Sequence, residues 1–423
     1  MKGIIAFLII FTVLVVFHEF GHYFFARKLG ILVREFAIGM GPKIFQHHGK
    51  NGTTFTIRIL PLGGYVRLAG LEETDLTAGK NVFLTFNNQN IITKIDTREN
   101  PSHPGLPFTV RKSDLTDQLT LTGDSFDNKA NDLITKTFNV DHDAFIVEND
   151  GTEIRIAPRD VQYSSASWWK KLITNFAGPF NNILLAIVAF SLSAFMVGGV
   201  QDTNSNKITI FDQTMPAAKA GIKTGDAVIA VNGTKTNNYE EIYDAINKNP
   251  SKKPIKLKVN HEGRIKNYMI RPKYSKAEGK GRYLIGISVW YKKDLRSQFL
   301  YGFTQTYDNA IAIFQTLGSF FTGGFSLNKI AGPVGIYSIS AQAADSGLGV
   351  LVSLCGALSV SLAIANLLPI PGLDGGKVLL NLIEAIRKKP LKQEHEVVVT
   401  LAGALLLFML IIVVTIHDIM KLF

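Results

Sequence analysis

An apolar stretch that runs straight into ionisable groups limits what this chain can fold into more than any other feature. From Gly3 to Phe17 the residues are almost all apolar, and the run continues directly into His18-Glu19-Phe20-Gly21-His22. Helical residues rise about 1.5 Å each, so the fifteen before His18 climb about 22 Å, most of a hydrocarbon core roughly 30 Å thick. Histidines four apart lie one above the other on a single helix face, with Glu19 a quarter-turn away. That is the spacing of two zinc ligands with a general base beside them. Ionisable groups at such depth are costly and mark function by default. The bland alternative is a pair of histidines satisfied by hydrogen bonds in a helix bundle. The complete five-residue pattern favours a metal site, and the rest of the chain must then supply a third ligand.

Composition sets the class. Of 423 residues, 46% are hydrophobic and 19% charged, which is too apolar for an ordinary soluble protein and too charged for a bare membrane bundle. A few spans carrying soluble inserts fit both figures. The net charge of +11 sits beside apolar runs and in one long polar stretch, with no nucleic-acid motif, so membrane topology explains it and no nucleic-acid partner is expected. The single cysteine, Cys355, lies in an apolar run, which excludes a disulfide framework and a cysteine-built zinc site within one chain. Arg27, Lys28 and Arg34 outweigh Lys2, so the positive-inside bias sets the N-terminus outside and His22 towards the cytoplasm. No small-x-small cleavage site follows the run, so it reads as a retained span, 1–28.

Residues 29–70 change to short alternating runs, Thr54-Phe-Thr-Ile-Arg-Ile and Tyr65-Val-Arg-Leu, joined by Leu60-Pro-Leu-Gly-Gly. This predicts a β-hairpin, either dipping back beside the metal with an edge strand for an extended peptide or forming a cytosolic cap. Residues 71–167 lack a spanning run and read as a β-rich cytosolic insert, in which Asp141-His142-Asp143 is expected to be a turn rather than a second metal site. Trp168-Trp169-Lys170-Lys171 then marks a cytosolic interface before a second span, 168–200, whose Asn175, Gly178, Pro179, Asn181 and Asn182 lie at the depth of the histidines. Amides there must face protein or water.

From 201 to 292 strands alternate with two short helices, and Met215-Pro-Ala-Ala-Lys-Ala-Gly-Ile-Lys-Thr-Gly-Asp-Ala-Val-Ile-Ala-Val-Asn-Gly resembles the PDZ modules of bacterial membrane and periplasmic proteases. Its basic stretch Lys252 to Lys273 reads as a solvated face, with anionic lipid as the weaker alternative. Residues 293–346 carry an imperfect amphipathic helix, Phe299 to Phe321, expected on the outer membrane surface or against the PDZ-like module. A third span, 347–386, is broken at Asn366-Leu-Leu-Pro-Ile-Pro-Gly-Leu-Asp-Gly-Gly376. Two prolines and three glycines cannot continue a helix, and such backbone is tolerated at membrane depth only where protein buries it or it lines a wet cavity. The break brings Asp374 to the depth of His18 and His22; two imidazoles and one carboxylate leave a fourth tetrahedral position open. The simpler role for Asp374 is to cap the following helix. A basic cytosolic loop, 387–396, precedes a fourth span, 397–423, so both termini are expected outside.

Taken together, His18-Glu-Phe-Gly-His22, Gly63-Gly64-Tyr65-Val66, Asn175-Phe-Ala-Gly-Pro-Phe-Asn-Asn182, the PDZ-like module and Asn366 to Gly376 resemble the site-2 protease family, in particular its bacterial RseP/RasP-type intramembrane zinc metalloproteases. One PDZ copy is visible where some relatives have two, and the long 71–167 insert is closer to the RasP-like branch. The resemblance implies a polytopic α-helical membrane protein with four transmembrane helices, a cytosolic β-rich insert with a membrane-associated β-hairpin, and one extracytoplasmic PDZ domain, in a bacterial cytoplasmic membrane. It implies Zn2+ held by His18, His22 and Asp374, with Glu19 taking a proton from the attacking water and returning it to the leaving amine. Asn366 with the Gly64, Tyr65 and Val66 edge would receive the freed backbone of a substrate. Expected substrates are pre-trimmed single-span proteins such as anti-sigma factors, or signal-peptide remnants. A catalytically idle PDZ-bearing scaffold is the alternative, and it gives no reason for Glu19 between two histidines together with a distant Asp374.

Overall fold

The computed structural model describes residues 2–421 apart from 50, 71–75, 100, 102–104, 128–131, 150, 249–252, 276–281, 324–329 and 389–392. The start of the expected insert, Lys252 and the middle of the basic loop 387–396 therefore lie outside the described residues. The chain forms two compact units, Met1–Ala186 with Asp308–Gly347 and Leu354–Phe423, and Ile187–Tyr307 with Leu348–Ser353.

The first unit opens with helix α1 (Lys2–Lys28), which has no acidic residue in its first turn and ends on Arg27 and Lys28. Strands β1 (Val33–His48) and β2 (Thr54–Leu68) follow as one antiparallel ribbon. Its pairing differs from the expected one. The two alternating runs both belong to β2 and do not pair with each other. Residues 35–38 of β1 lie between them, Ala37 facing Thr56 on one side and Tyr65 on the other. Both strands can bend back because Gly39, Gly41 and Gly63 adopt φ of +87°, +86° and +87°, a region closed to most side chains. Residues 64–67 consequently have β1 along one side and, among the described residues, no strand along the other.

A six-stranded sheet comes next: β3 (Asn81–Phe86), β4 (Ile92–Asp96), β5 (Leu106–Asp114), β6 (Thr120–Asp127), β7 (Asp132–Val147) and β8 (Glu153–Arg155), in the order β4-β3-β5-β6-β7-β8, with β4 also parallel to β7. Side chains alternate across each strand, so Phe108 and Val110 on β5 reach a core shared with Leu84, Ile95 and Leu121. Asp141-His142-Asp143 is extended within β7, not a turn. His142 faces Asp143 at 2.8 Å and both oxygens of Asp160 at 3.1 Å, and Arg155 reaches Asp143, so exposed opposite charges hold the segment straight. Helix α2 (Trp168–Val197) then begins at the tryptophan pair and carries Pro179 in its interior.

The second unit is mostly β: β9 (Val200–Asp202), β10 (Ile208–Ile210), a short α3 (Pro216–Lys219), β11 (Ala227–Val231), β12 (Thr234–Lys235), α4 (Tyr239–Asn247), β13 (Ile255–His261), β14 (Arg264–Ile270), β15 (Lys273–Ser275), β16 (Arg282–Leu284) and β17 (Ile287–Lys292). Its sheets run β10-β17-β9, β12-β11-β13-β14 and β15-β16. Val228, Leu257, Val259 and Ile242 form its core. The Asn238 side chain accepts from Glu241 N at 2.8 Å and so starts α4, a side-chain cap satisfying one of the helix's orphan donors. Helix α5 (Leu295–Phe321) continues the chain, with Phe299, Phe303, Tyr307 and Phe314 on its exposed surface.

Back in the first unit lie α6 (Pro333–Ser346), α7 (Leu348–Leu367, whose first six residues belong to the second unit), α8 (Asp374–Arg387) and α9 (Gln393–Met420). Asp418 Oδ2 on α9 accepts from the backbone N–H groups of Gly332 and Gly335 at 2.8 and 2.9 Å, supplying α6 with the N-terminal cap its own sequence lacks. Lys2–Lys28, Trp168–Val197, Leu348–Leu367 and Val397–Met420 are long and apolar enough to cross a membrane. In the last, only 11% of the most apolar window is buried by protein, so Leu401, Leu405, Phe408 and Ile412 are left for lipid to cover. Between α7 and α8 the chain leaves helical geometry at Leu368 and resumes at Asp374. Gly403 of α9 packs against this break so closely that a Cβ there would lie 1.9 Å from the Pro371 carbonyl oxygen.

Candidate metal centre

The two histidines are brought to Asp374 by a crossing of small residues. A Cβ on Gly21 of α1 would lie 2.3 Å from the Ala177 carbonyl oxygen of α2. One on Gly178 would lie 2.3 Å from His22 Nε2 and 2.8 Å from His18 Cε1. Glycine at both positions lets the helices approach and leaves the imidazoles room between them. Asp374 comes from the first turn of α8, directly after the break, so the helix interruption aims the carboxylate sideways.

His18 Nε2 and His22 Nε2 lie 3.0 and 3.1 Å from Asp374 Oδ2 and 3.3 Å from each other. Tetrahedral zinc with bonds of about 2.0 Å separates its ligand atoms by roughly 3.3 Å. The two imidazole nitrogens and the carboxylate oxygen therefore match one face of that tetrahedron, and their chemistry suits a borderline-soft divalent ion. They form the one cluster of three or more potential metal-ligating side chains among the described residues. Outer contacts support the same role: His22 Nδ1 donates to the Thr174 carbonyl at 2.7 Å, which leaves Nε2 with its lone pair free for a metal.

A cavity of about 270 Å³ opens on these donors. Glu19 lines it, as do Tyr65 and Val66 of the hairpin and Asn366 at the end of α7. Gly64 lies against Glu19, since a Cβ there would come within 3.5 Å of Glu19 Cγ and 3.3 Å of Val15 Cγ1. The structure thus brings together all eight residues singled out from the sequence, and it sets the open edge of the hairpin at the metal site rather than away from it. Tyr65 is locked from behind. Its hydroxyl donates to Glu35 Oε2 at 2.7 Å, while Glu35 Oε1 accepts from Thr56 at 2.6 Å and Arg58 at 2.7 Å. Burial alone would raise the Glu35 carboxyl, but these three donors hold it below the usual carboxylate range. Burial, helped by the Glu35 charge, pushes the Tyr65 phenol up to about 12, so it stays a proton donor at neutral pH.

Thr174, Asn175 and Lys377 also line the cavity. Thr174 acts through its backbone carbonyl, which no side-chain pattern announces. Lys377 follows Asp374 by three residues and faces the same side of α8, a helical spacing that points to it once Asp374 is placed. The amides of α2 do face protein: Asn175 donates to the Tyr163 hydroxyl at 2.7 Å and Asn181 to the Phe17 carbonyl.

Four apolar spans and a buried His-His-Asp centre with a carboxylate beside it define a multi-pass membrane metallohydrolase. Comparison with known proteins narrows the class. The chain belongs to Peptidase family M50, whose model matches residues 6–410. A Streptococcus pyogenes serotype M3 chain named for zinc metalloprotease activity is 47% identical over 432 residues, covering 100% of both chains. An Enterococcus faecalis chain named as the protease eep is 44% identical over 426 residues, again covering 100% of both. Among solved structures, the PDZ domain of an SdrC-like protein from Listeria innocua is similar at 21% identity over 22% of this chain and 96% of its own, with a TM-score of 0.17. The protein is accordingly a zinc metalloprotease of the site-2 protease family, set in a lipid bilayer.

Proposed function

We propose that His18, His22 and Asp374 hold the zinc ion and that Glu19 is the general base of an intramembrane endopeptidase acting on transmembrane segments. The observation that carries this reading is the 3.0 to 3.3 Å triangle of donor atoms, opening on the same cavity as Glu19. Zinc supplies Lewis acidity, polarising the scissile carbonyl and bringing water within reach of a carboxylate base near neutral pH. Glu19 takes the proton from the attacking water and delivers it to the leaving nitrogen.

A membrane-spanning substrate hides its peptide bonds in its own helical hydrogen bonds, so it must be extended before attack. The free edge at Gly64, Tyr65 and Val66 offers strand-type pairing to that extended segment, and Asn366, lining the same cavity, offers an amide. The Glu35, Arg58 and Tyr65 network keeps the edge from yielding as the substrate is drawn in. Substrates are single-span proteins already trimmed outside, such as anti-sigma factors, or signal-peptide remnants. Residues 201–292 form an extracytoplasmic PDZ-type module that filters bulky ectodomains, in a topology with both termini outside the cytoplasmic membrane.

Co-expression of candidate signal peptides and anti-sigma factors with wild type and Glu19→Gln tests the proposal. Cleavage by wild type with uncut, co-purifying peptide on the variant is expected. Equal processing by both, or wild-type zinc content after His18→Ala with His22→Ala, would overturn it.

A further inference from the structure

The two imidazoles are held unequally from behind. His22 gives its Nδ1 hydrogen to the Thr174 carbonyl, whereas the atom facing His18 Nδ1, at 3.3 Å, belongs to the carboxamide of Asn182. Thr174, Gly178 and Asn182 fall four residues apart on α2, on one face, just as His18 and His22 fall four apart on α1. The helices run antiparallel here, so Thr174 meets His22, Asn182 meets His18, and Gly178 lies between them.

Asn182 has no exposed surface, and its Oδ1 has no hydrogen-bond partner among the described residues. A buried carbonyl-type oxygen without a partner is costly, about 1–3 kcal/mol. The atom turned towards His18 is the amide nitrogen, which can only donate. An imidazole that gives Nε2 to a metal carries its hydrogen on Nδ1 and also needs to donate there. Half a turn of the carboxamide exchanges its two ends, and it brings the partnerless oxygen to the imidazole hydrogen. The backbone at this point stays fixed during such a turn, because Ser359 of α7 donates to the Asn182 carbonyl at 2.7 Å.

We propose that Asn182 is the positioning residue of His18: its side-chain oxygen accepts the Nδ1 hydrogen when Nε2 binds the metal, and so fixes the tautomer and the plane of the ring. This rests on the reading of His18 as a metal ligand. Thr174 does the same for His22 through its backbone, which leaves Asn182 as the half of the outer shell that substitution can reach.

The test is zinc affinity of the full-length protein in lipid nanodiscs, measured by competition with a chelator, with thermal unfolding of the zinc-free protein as a separate readout. Asn182→Leu, similar in size and without an acceptor, should weaken zinc binding on the order of 10–100-fold. Asn182→Asp, acceptor only, should hold zinc within about 3-fold of wild type, because a carboxylate behind a ligating histidine serves the same purpose. Wild-type affinity in Asn182→Leu overturns the proposal. So does a loss in Asn182→Asp of 10-fold or more, and that variant decides alone should the leucine variant not fold. His18→Ala separates the two levels: if it leaves zinc affinity intact, the ligand assignment itself fails, whereas a loss there with no effect at Asn182 removes this inference only.

Discussion

The two walls of the cavity at the candidate metal centre are built on different principles. One is helical: His18, Glu19 and His22 from α1 and Asp374 from α8, positioned by glycine contacts at Gly21 and Gly178. The other is a strand edge, Gly64 to Val66, positioned by pairing with β1 and by the buried Glu35 carboxylate behind Tyr65. The helical wall sets the candidate ligand atoms 3.0 to 3.3 Å apart through rigid local geometry. The strand wall leaves one row of backbone groups without a strand partner among the described residues. On the proposed function, chemistry and substrate handling fall to separate structural elements, and damage to one should leave the other standing.

The largest effect should come from the centre of the helical wall. Glu19→Gln should lower hydrolysis by about 10²- to 10⁴-fold, the range for loss of a general base, while zinc content stays at the wild-type value. Loss of zinc along with activity would show that this carboxylate also helps hold the site together. Gly178→Val comes next. Its side chain would enter the space of both imidazoles, so zinc affinity should fall on the order of 10–100-fold while the hairpin amides keep their exchange protection.

On the strand wall, Tyr65→Phe removes a hydrogen bond to a charged acceptor, worth about 1.5–3 kcal/mol. Amide exchange in β2 should accelerate by roughly 10- to 100-fold, with zinc affinity unchanged. A change in zinc affinity would mean that the walls are coupled.

Acid titrates the same network. The Glu35 carboxyl is held below its unfolded range, so its contribution to hairpin stability is complete above the ordinary carboxylate range and is lost as pH falls through its lowered value. Protection of the β1 and β2 amides, taken relative to their intrinsic exchange at each pH, should therefore fall on acidification in wild type and change less in Glu35→Gln. The smallest effect belongs to Lys94→Ala, which breaks an exposed ion pair with Glu153 in the six-stranded sheet. A stability change within about 0.5 kcal/mol and unaltered proteolysis are expected.

The helical wall was legible in the sequence and the strand wall only half so. Helix periodicity is fixed, so a four-residue interval between histidines is already a statement about space, and a Pro-Gly-rich interruption of an apolar run already says that something unusual is placed at that depth. Strand pairing has no such internal ruler. Thr54 to Ile59 and Tyr65 to Leu68 look like the two arms of a hairpin, yet β1 lies between them because three glycines at positive φ let the ribbon fold back. Asp141 to Asp143 looks like a turn by composition, and two charges from outside it, Arg155 on β8 and Asp160 beyond the sheet, hold it extended. Thr174 contributes a carbonyl and Gly178 an absence of side chain, and neither carries a chemical label. The regular spacing of Thr174, Gly178 and Asn182 was visible and gains meaning only once α1 is laid against α2.

The close packing of Gly403 on Pro371 ties the third zinc-ligand candidate to the helix that is translated after it. Until α9 has followed into place, nothing from that side braces the Leu368 to Leu373 bend, so the brace is among the last contacts a growing chain can make.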